Sequence, residues 1–375
     1  MVRLDRTPKM RIAPIVLTAA SALAAHAAPP QAQCWFVNIT GRTGYGGYEA
    51  DVQSVKYDAS YVYVQCSSVP GYSIGPWPGN PGSPIDGNWS FRITRNPQPR
   101  TGTRTATGLG QIGVWTNGVC IFSASDARSY NNRNVWHQNA IVVEGPGFDS
   151  CGGHPAQTQY HNHQNAACMY DLVPTEHSPI VGFGFDGFPV YGPFGYANTD
   201  GTGGIRRIKS SYRLRSITQR TSLPDGTALT SANYGPAVSG TYPLGYYIED
   251  HEYVSGLGDL NDSNARFCVT PEFPQGTWAY FVTTDNAGSP AYPYMLGPTY
   301  MGTLDTGNTG PTGGHVTVPA IAVTFDPVDL DESGSVDAGD IGALLLLFGS
   351  RGPLGDLDGS GTVDAGDIGT MLLRF

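Results

Sequence analysis

Along most of the chain, apolar and aromatic residues alternate with polar ones in short runs, and clusters of Gly, Pro, Asn and Asp separate the runs. A period of two over four to eight residues marks a strand with one buried face, and the separators are the residues that tight turns require. Read this way, residues 34–39, 61–66, 89–94, 113–116, 139–143, 246–248, 277–283 and 315–325 are predicted strands. Nothing in this stretch shows a sustained helical period. The pattern predicts a mostly β body, a β-sandwich-like fold with long loops, over residues 28–325.

The pattern changes at both ends. Arg3, Arg6, Lys9 and Arg11 precede an apolar run from Ile12 to Ala25, and Ala25-His26-Ala27 follows. This is the layout of a signal peptide over residues 1–27, with cleavage after Ala27 and export; Met10 is an alternative start. The run is too short for a membrane span, and no later segment reaches spanning length.

After Asp326-Pro327 the apolar period becomes helical: Ile341, Leu344, Leu345 and Phe348, then Ile368, Met371, Leu372 and Phe375. An acidic loop precedes each helix, and the repeat is 27 residues long. The first loop carries Asp329, Asp331, Ser333, Ser335, Asp337 and Asp340; the second carries Asp356, Asp358, Ser360, Thr362, Asp364 and Asp367. Side-chain oxygens fall at positions 1, 3, 5, 9 and 12, with Gly334 and Gly361 at position 6. Ser335 and Thr362, at position 7, offer a backbone carbonyl. Ca²⁺ takes about six to eight oxygens, and this spacing wraps them around one ion. Two bound calcium ions are the expectation for residues 326–375, a small α module of two calcium loop–helix repeats.

Charge follows the same division. The net charge is −10, and residues 326–375 hold ten acidic and two basic residues. The body has no basic patch large enough for many phosphate contacts, which excludes nucleic acid as an expected partner. Arg206-Arg207-Ile208-Lys209 reads as a strand edge or loop face.

All six cysteines follow the signal segment, at 34, 66, 120, 151, 168 and 268. An even count in an exported chain implies disulfides, and six cysteines allow fifteen pairings. Cys151 and Cys168 bracket a histidine-rich stretch and are paired on that ground. Cys34 with Cys66 is the next most local choice, which leaves Cys120 with Cys268.

Candidate chemistry is concentrated between Asp149 and Tyr196. Four histidines, His154, His161, His163 and His177, fall within 24 residues. His161 and His163 are two apart, so on a strand they share a face. Two imidazoles on one face with a third from a nearby loop make a metal site, and imidazole suits Zn²⁺ and copper. The expected ligands of one such ion are His161, His163 and His154, with His177 in or beside the set. Asp186 and Tyr191 read as turn and core residues, and Asp259, Asp262 and Asn264 as turn residues.

Two family resemblances rest on these residues. The duplicated calcium loop with one helix each and Asp at position 12 resembles a dockerin, which implies attachment to a cohesin-like or cell-surface scaffold partner through residues 326–375. The segments Cys151-Gly-Gly-His154, Tyr160-His161-Asn162-His163, His177-Ser-Pro179 and Asp186-Gly-Phe-Pro-Val-Tyr-Gly-Pro193 resemble the YHYH-domain family over roughly residues 75–300. Asn162 departs from that family's Tyr-His-Tyr-His motif, but both histidines stand. The resemblance implies a fold family and delivers no reaction.

Three functions remain open at this point. The first is an exported metal-binding protein tethered by its calcium module. The second is a metal-dependent hydrolase or polysaccharide-degrading component. The third is an adhesive or carbohydrate-binding protein whose Tyr45, Tyr48, Trp77 and Trp89 stack on sugars.

Overall fold

The computed structural model describes residues 28–310 and 312–375; the expected signal segment, residues 1–27, lies outside the described residues. The protein is mostly β, with two large sheets and a small helical part at the C-terminus.

Tyr61–Cys66 and Trp89–Thr94 form strands with the bounds their alternation predicts. They belong to a four-stranded antiparallel sheet, in the order Val323–Thr324, Val52–Tyr57, Tyr61–Cys66, Trp89–Thr94. The second sheet has eight strands. Its order is Ala265–Cys268, Thr277–Phe281, Pro189–Tyr191, Ile180–Gly184, Gln111–Trp115, Cys120–Phe122, Gln159–Asn162 and Gly153–Ala156. Two of its pairings are parallel, Pro189–Tyr191 with Thr277–Phe281 and Cys120–Phe122 with Gln159–Asn162. One apolar core joins the sheets: Val55, Val64 and Phe91 from the first meet Val114, Ile121 and Phe183 from the second. The Phe91 and Phe185 rings lie 5.0 Å apart across it. Central strands such as Ile180–Gly184 are buried at every position, which is why their sequence runs apolar without alternating.

Several predicted strands take other forms. Ala140–Val143 is a short helix, because the Asn139 side chain accepts from the Ile141 N–H and caps it. Residues 34–39 follow a short helix at Pro30–Gln33 and hold a single bridge, from Val37 to Val52. Tyr247 precedes a 3₁₀ turn at Ile248–Asp250, and of 315–325 only Val323–Thr324 and a bridge at His315 remain. The basic run is an edge strand, Ile205–Arg207, and Arg206 pairs with Asp259 at 2.6 Å.

The long loops are pinned from within. Arg220 and Asp250 are both fully buried, with two guanidinium–carboxylate bonds of 2.7 Å. Arg220 also donates to the carbonyls of Pro236, Tyr242 and Pro243, while Asp250 accepts from the Gly245 and Tyr247 N–H groups.

Cys151 and Cys168 are joined, as expected. Cys34, Cys66, Cys120 and Cys268 are thiols, which corrects both other pairings. Nearness along the chain does not survive folding here. Cys66 ends its strand against Gly118, where an added Cβ would lie 2.5 Å from the Cys66 Cβ, while Cys34 turns its sulfur toward the Gln31 carbonyl. Burial, and then the neighbouring Cys120, push the Cys66 thiol well up and keep it protonated.

The C-terminal helices are Ala338–Leu346 and Ala365–Leu372. They have an apolar cluster of their own, built on the 27-residue repeat: Leu344 with Met371, Leu357 with Leu330, Val363 with Val336. The cluster touches the body at Ile39. Two further contacts use loop position 4. Glu332, at φ 56°, accepts from the Ala28 N–H at 3.0 Å and from Gln33 at 2.9 Å. Gly359, at φ 72°, offers its carbonyl to Arg42, which also pairs with Asp51 at 2.6 Å. No helix among the described residues is long and apolar enough to cross a membrane.

Three measurements check this frame. Thiol titration of the unfolded, unreduced protein will find four free cysteines, and non-reducing peptide mapping will recover Cys151 with Cys168. Replacing both with Ser will lower stability by about 3 kcal/mol. Asp250→Ala strands a buried guanidinium and will cost roughly 3–5 kcal/mol in denaturant unfolding.

Candidate metal centre

The centre is built at the end of the eight-stranded sheet, on the hairpin of Gly153–Ala156 and Gln159–Asn162. Its register places His154 directly opposite His161, and Cys120 is the parallel neighbour of His161 on the other side. His163 follows the strand, on the same face as His161. The Cys151–Cys168 bridge closes the loops on either side of the hairpin. Below it, the Asp149 carboxylate accepts from the N–H groups of Gly75, Cys151 and Gly153, from the Trp77 indole and from the Tyr160 hydroxyl. Tyr160 is the first residue of the Tyr-His-Asn-His segment, and it is wholly buried.

His154, His161 and His163 are all buried and offer nitrogens within 4.8 Å of one another. His161 Nδ1 lies 3.1 Å from the Gln159 carbonyl, and His163 Nδ1 lies 2.6 Å from the Ser123 carbonyl. A carbonyl only accepts, so both Nδ1 atoms carry hydrogen, and each ring turns its Nε2 inward. The two Nε2 atoms face each other at 3.0 Å. Two lone pairs at that distance repel unless a cation, a proton or a metal ion, lies between them. Metal–nitrogen bonds of about 2.0–2.1 Å put neighbouring ligand atoms roughly 2.9–3.4 Å apart, so the spacing fits a transition-metal ion. Burial, followed by the other two rings, pushes the His161 imidazole well below its ordinary range; burial pulls His154 down to about 4. Both rings are therefore neutral near pH 7, the state that ligates. Phe122 stacks on His161 at 3.8 Å, and Phe148 packs on His154 at 4.8 Å, so one side of the cluster is aromatic.

Sequence reasoning missed Glu144. The helix Ala140–Val143 ends at this residue, and the turn at Gly145–Gly147 follows it. Its backbone is held at both ends, by the Ala140 carbonyl and the Gly147 N–H. Its Oε2 lies 3.2 Å from His163 Nε2 and 3.6 Å from His154 Nε2, buried and without a hydrogen bond. Burial raises its carboxyl, but His163, His154 and Arg128 outweigh that and leave it lowered. The one available signal was that Glu144 is the sole acidic residue between Asp126 and Asp149.

His177 does not join the cluster. It packs between Tyr191 and Tyr196, with its ring centroid 5.1 and 4.9 Å from theirs. The strand it leads into, Ile180–Gly184, is three strands from Gln159–Asn162, roughly 14 Å at the usual strand spacing. Asp186 is fully buried, raised to about 6 by burial, and accepts from the Tyr280 hydroxyl and the Gly302 N–H. Of the four aromatics expected to stack on sugars, three pack within the fold: Trp89 stacks on Phe91 and His315, and Trp77 packs against Tyr160 and against Tyr45, another of the four.

In the C-terminal loops, Asp329, Asp331 and Asp340 converge, as do Asp356, Asp358 and Asp367. Ser333 and Ser360 donate to the carbonyls of Ser335 and Thr362. Asp337 and Asp364 serve as helix N-caps, accepting from the Gly339 and Gly366 N–H groups. One oxygen each of Asp329 and Asp356 is buried without a partner.

A mostly β chain with a buried histidine hairpin at a sheet edge defines the class. The chain belongs to the YHYH family: the family's sequence model, described as YHYH protein, matches residues 90–292, which include Glu144 and all four clustered histidines of the sequence. Comparison with curated proteins found no match, and comparison with solved structures found none.

Proposed function

We propose that the protein binds one transition-metal ion, Zn²⁺ or Cu²⁺, between His161 and His163, with His154 beside them. The observation that carries this reading is the 3.0 Å approach of two buried Nε2 atoms whose rings have each committed Nδ1–H to a carbonyl. When bound, such an ion would supply Lewis acidity to a small ligand. The protein's part is to hold the rings neutral, fix their orientation through the Gln159 and Ser123 carbonyls, and shield them with Phe122 and Phe148.

The C-terminal loops are proposed to hold two calcium ions in a dockerin-like module. The support is the pair of three-carboxylate clusters, each with an unpartnered buried oxygen. Such a module would tether an exported protein to a cohesin-like partner. An apolar surface suited to that partner repeats with the 27-residue period: Leu345, Leu346 and Phe348 are exposed, and so are Leu372, Leu373 and Phe375.

The two kinds of ion are separable by experiment. In equilibrium dialysis the chelator-treated protein will take up one Zn²⁺ with micromolar or tighter affinity at pH 7.5, a span of about 8 kcal/mol. The His161→Ala/His163→Ala variant will lose that ion and keep its calcium; unchanged Zn²⁺ uptake would make the cluster structural. Asp329→Asn with Asp356→Asn preserves shape but removes charge. It will abolish the calcium-dependent gain in helical circular dichroism that EDTA reverses, with Zn²⁺ binding intact.

A further inference from the structure

Each imidazole of the cluster commits one nitrogen to the protein, but the polarity of that commitment differs. Gln159 and Ser123 present carbonyl oxygens, so His161 and His163 keep hydrogen on Nδ1 and turn Nε2 inward. His154 meets Asn80 instead, whose Nδ2 lies 3.2 Å from His154 Nδ1. The Asn80 amide is fixed in that sense. Its Nδ2 also donates to the Pro155 carbonyl at 2.8 Å, and its Oδ1 accepts from the Gly82 N–H at 2.8 Å. His154 Nδ1 is therefore the acceptor, and the hydrogen of the neutral ring sits on Nε2. A nitrogen that carries hydrogen has no lone pair to give a cation.

Glu144 Oε2 has one. It approaches His163 Nε2 to 3.2 Å, close to the separation of the two histidine nitrogens. It is buried and makes no hydrogen bond. The Glu144 oxygen thus stands beside His163 Nε2, which in turn faces His161 Nε2, and His154 Nε2 is an inward donor, buried and unpartnered.

We propose that the ion is held by His161 Nε2, His163 Nε2 and a Glu144 carboxylate oxygen, and that His154 is a hydrogen-bond donor to a small monoanion at the ion's open position. This rests on the metal-centre reading above and revises its ligand set. Two neutral rings and one carboxylate leave a divalent ion with a single net positive charge, which one monoanion balances. The Nε2–H of His154 then gives that anion its hydrogen bond. Two histidines with one carboxylate is also the donor set of hydrolytic zinc sites and of non-haem Fe²⁺ centres. The harder oxygen ligand favours Zn²⁺ or Fe²⁺ over copper at this centre.

The test uses the full exported chain, stripped with chelator, with Zn²⁺ affinity read by calorimetry and folding by circular dichroism. Glu144→Gln keeps the side-chain shape and removes its charge; it will weaken Zn²⁺ binding by more than about a hundredfold, beyond the range for losing an outer hydrogen bond. Glu144→Asp keeps the charge on a shorter arm and will fall between the two. His154→Gln will hold Zn²⁺ within about tenfold of the parent. With Co²⁺ as the probe metal and azide as the probe anion, the visible spectrum of the parent will respond to azide at concentrations where His154→Gln does not. Zn²⁺ binding unchanged in Glu144→Gln, or lost in His154→Gln as completely as in His161→Ala, overturns the proposal and leaves a three-histidine ion in place. A parent protein that binds no metal brings down the metal-centre reading itself.

Discussion

The histidine hairpin depends on a single buried carboxylate. Asp149 gathers five donors from three places: the turn at Cys151 and Gly153, the Tyr160 ring from the opposite strand, and the loop at Gly75 and Trp77. Gly153 and Tyr160 lie on the two strands of one hairpin, so the carboxylate ties its strands together from beneath. Gly75 and Trp77 belong to the loop that continues to Asn80, which orients His154. Charge-assisted bonds of this kind are stronger than neutral ones, and in a low-dielectric interior they leave little freedom for rearrangement. The tyrosine of the Tyr-His-Asn-His segment owes its hydroxyl to this role. A phenylalanine there would leave Asp149 short of a donor and the hairpin loosely seated.

An edge hairpin is an exposed place for buried polar groups. Sheet edges present unpaired backbone to solvent and to other chains. Here the loop from Asn80 to Ile85 runs along the edge, with Asn80 donating to the Pro155 carbonyl and the Ser83 and Ile85 N–H groups to those of Gln157 and Thr158, while the short helix at Ala140–Val143 leads into the centre. The helix delivers Glu144, and Phe148 just beyond it lies flat against His163. Asn80 takes part in both, bonding the edge at Pro155 and orienting His154.

Much of the sheet was legible because half-buried strands cannot hide their period. Tyr61–Cys66 and Trp89–Thr94 read directly, since Val62, Val64, Phe91 and Ile93 all face the core. The stretch Ala140–Val143 misled, because Ile-Val-Val has strand propensity and only the Asn139 cap makes it helical. At the centre, the His161 and His163 pairing was visible as a spacing. The position of His154 depended on a two-residue turn at Gln157 and Thr158, where Gln157 adopts φ 56°. A glutamine gives no turn signal of the kind that Asn-Gly does. Glu144 was illegible for a different reason: it reaches the cluster through tertiary packing alone. The thiols show the converse error, since order along the chain carried no information on which sulfurs approach in space.

The contacts at loop position 4 tie the first described residues to the last fifty. Ala28 and Glu332 are separated by 304 positions, and Arg42 and Gly359 by 317. Contacts of such long sequence separation are slow to form, because the intervening chain must first be ordered. During synthesis, Arg42 can pair early with Asp51, but the Ala28 and Gln33 bonds to Glu332 and the Arg42 bond to Gly359 must wait until almost the whole chain has emerged. These bonds, and not the segment that carries them, are the last to form in a vectorially emerging chain. A chain cut short before residue 326 would keep both large sheets but never close this seam.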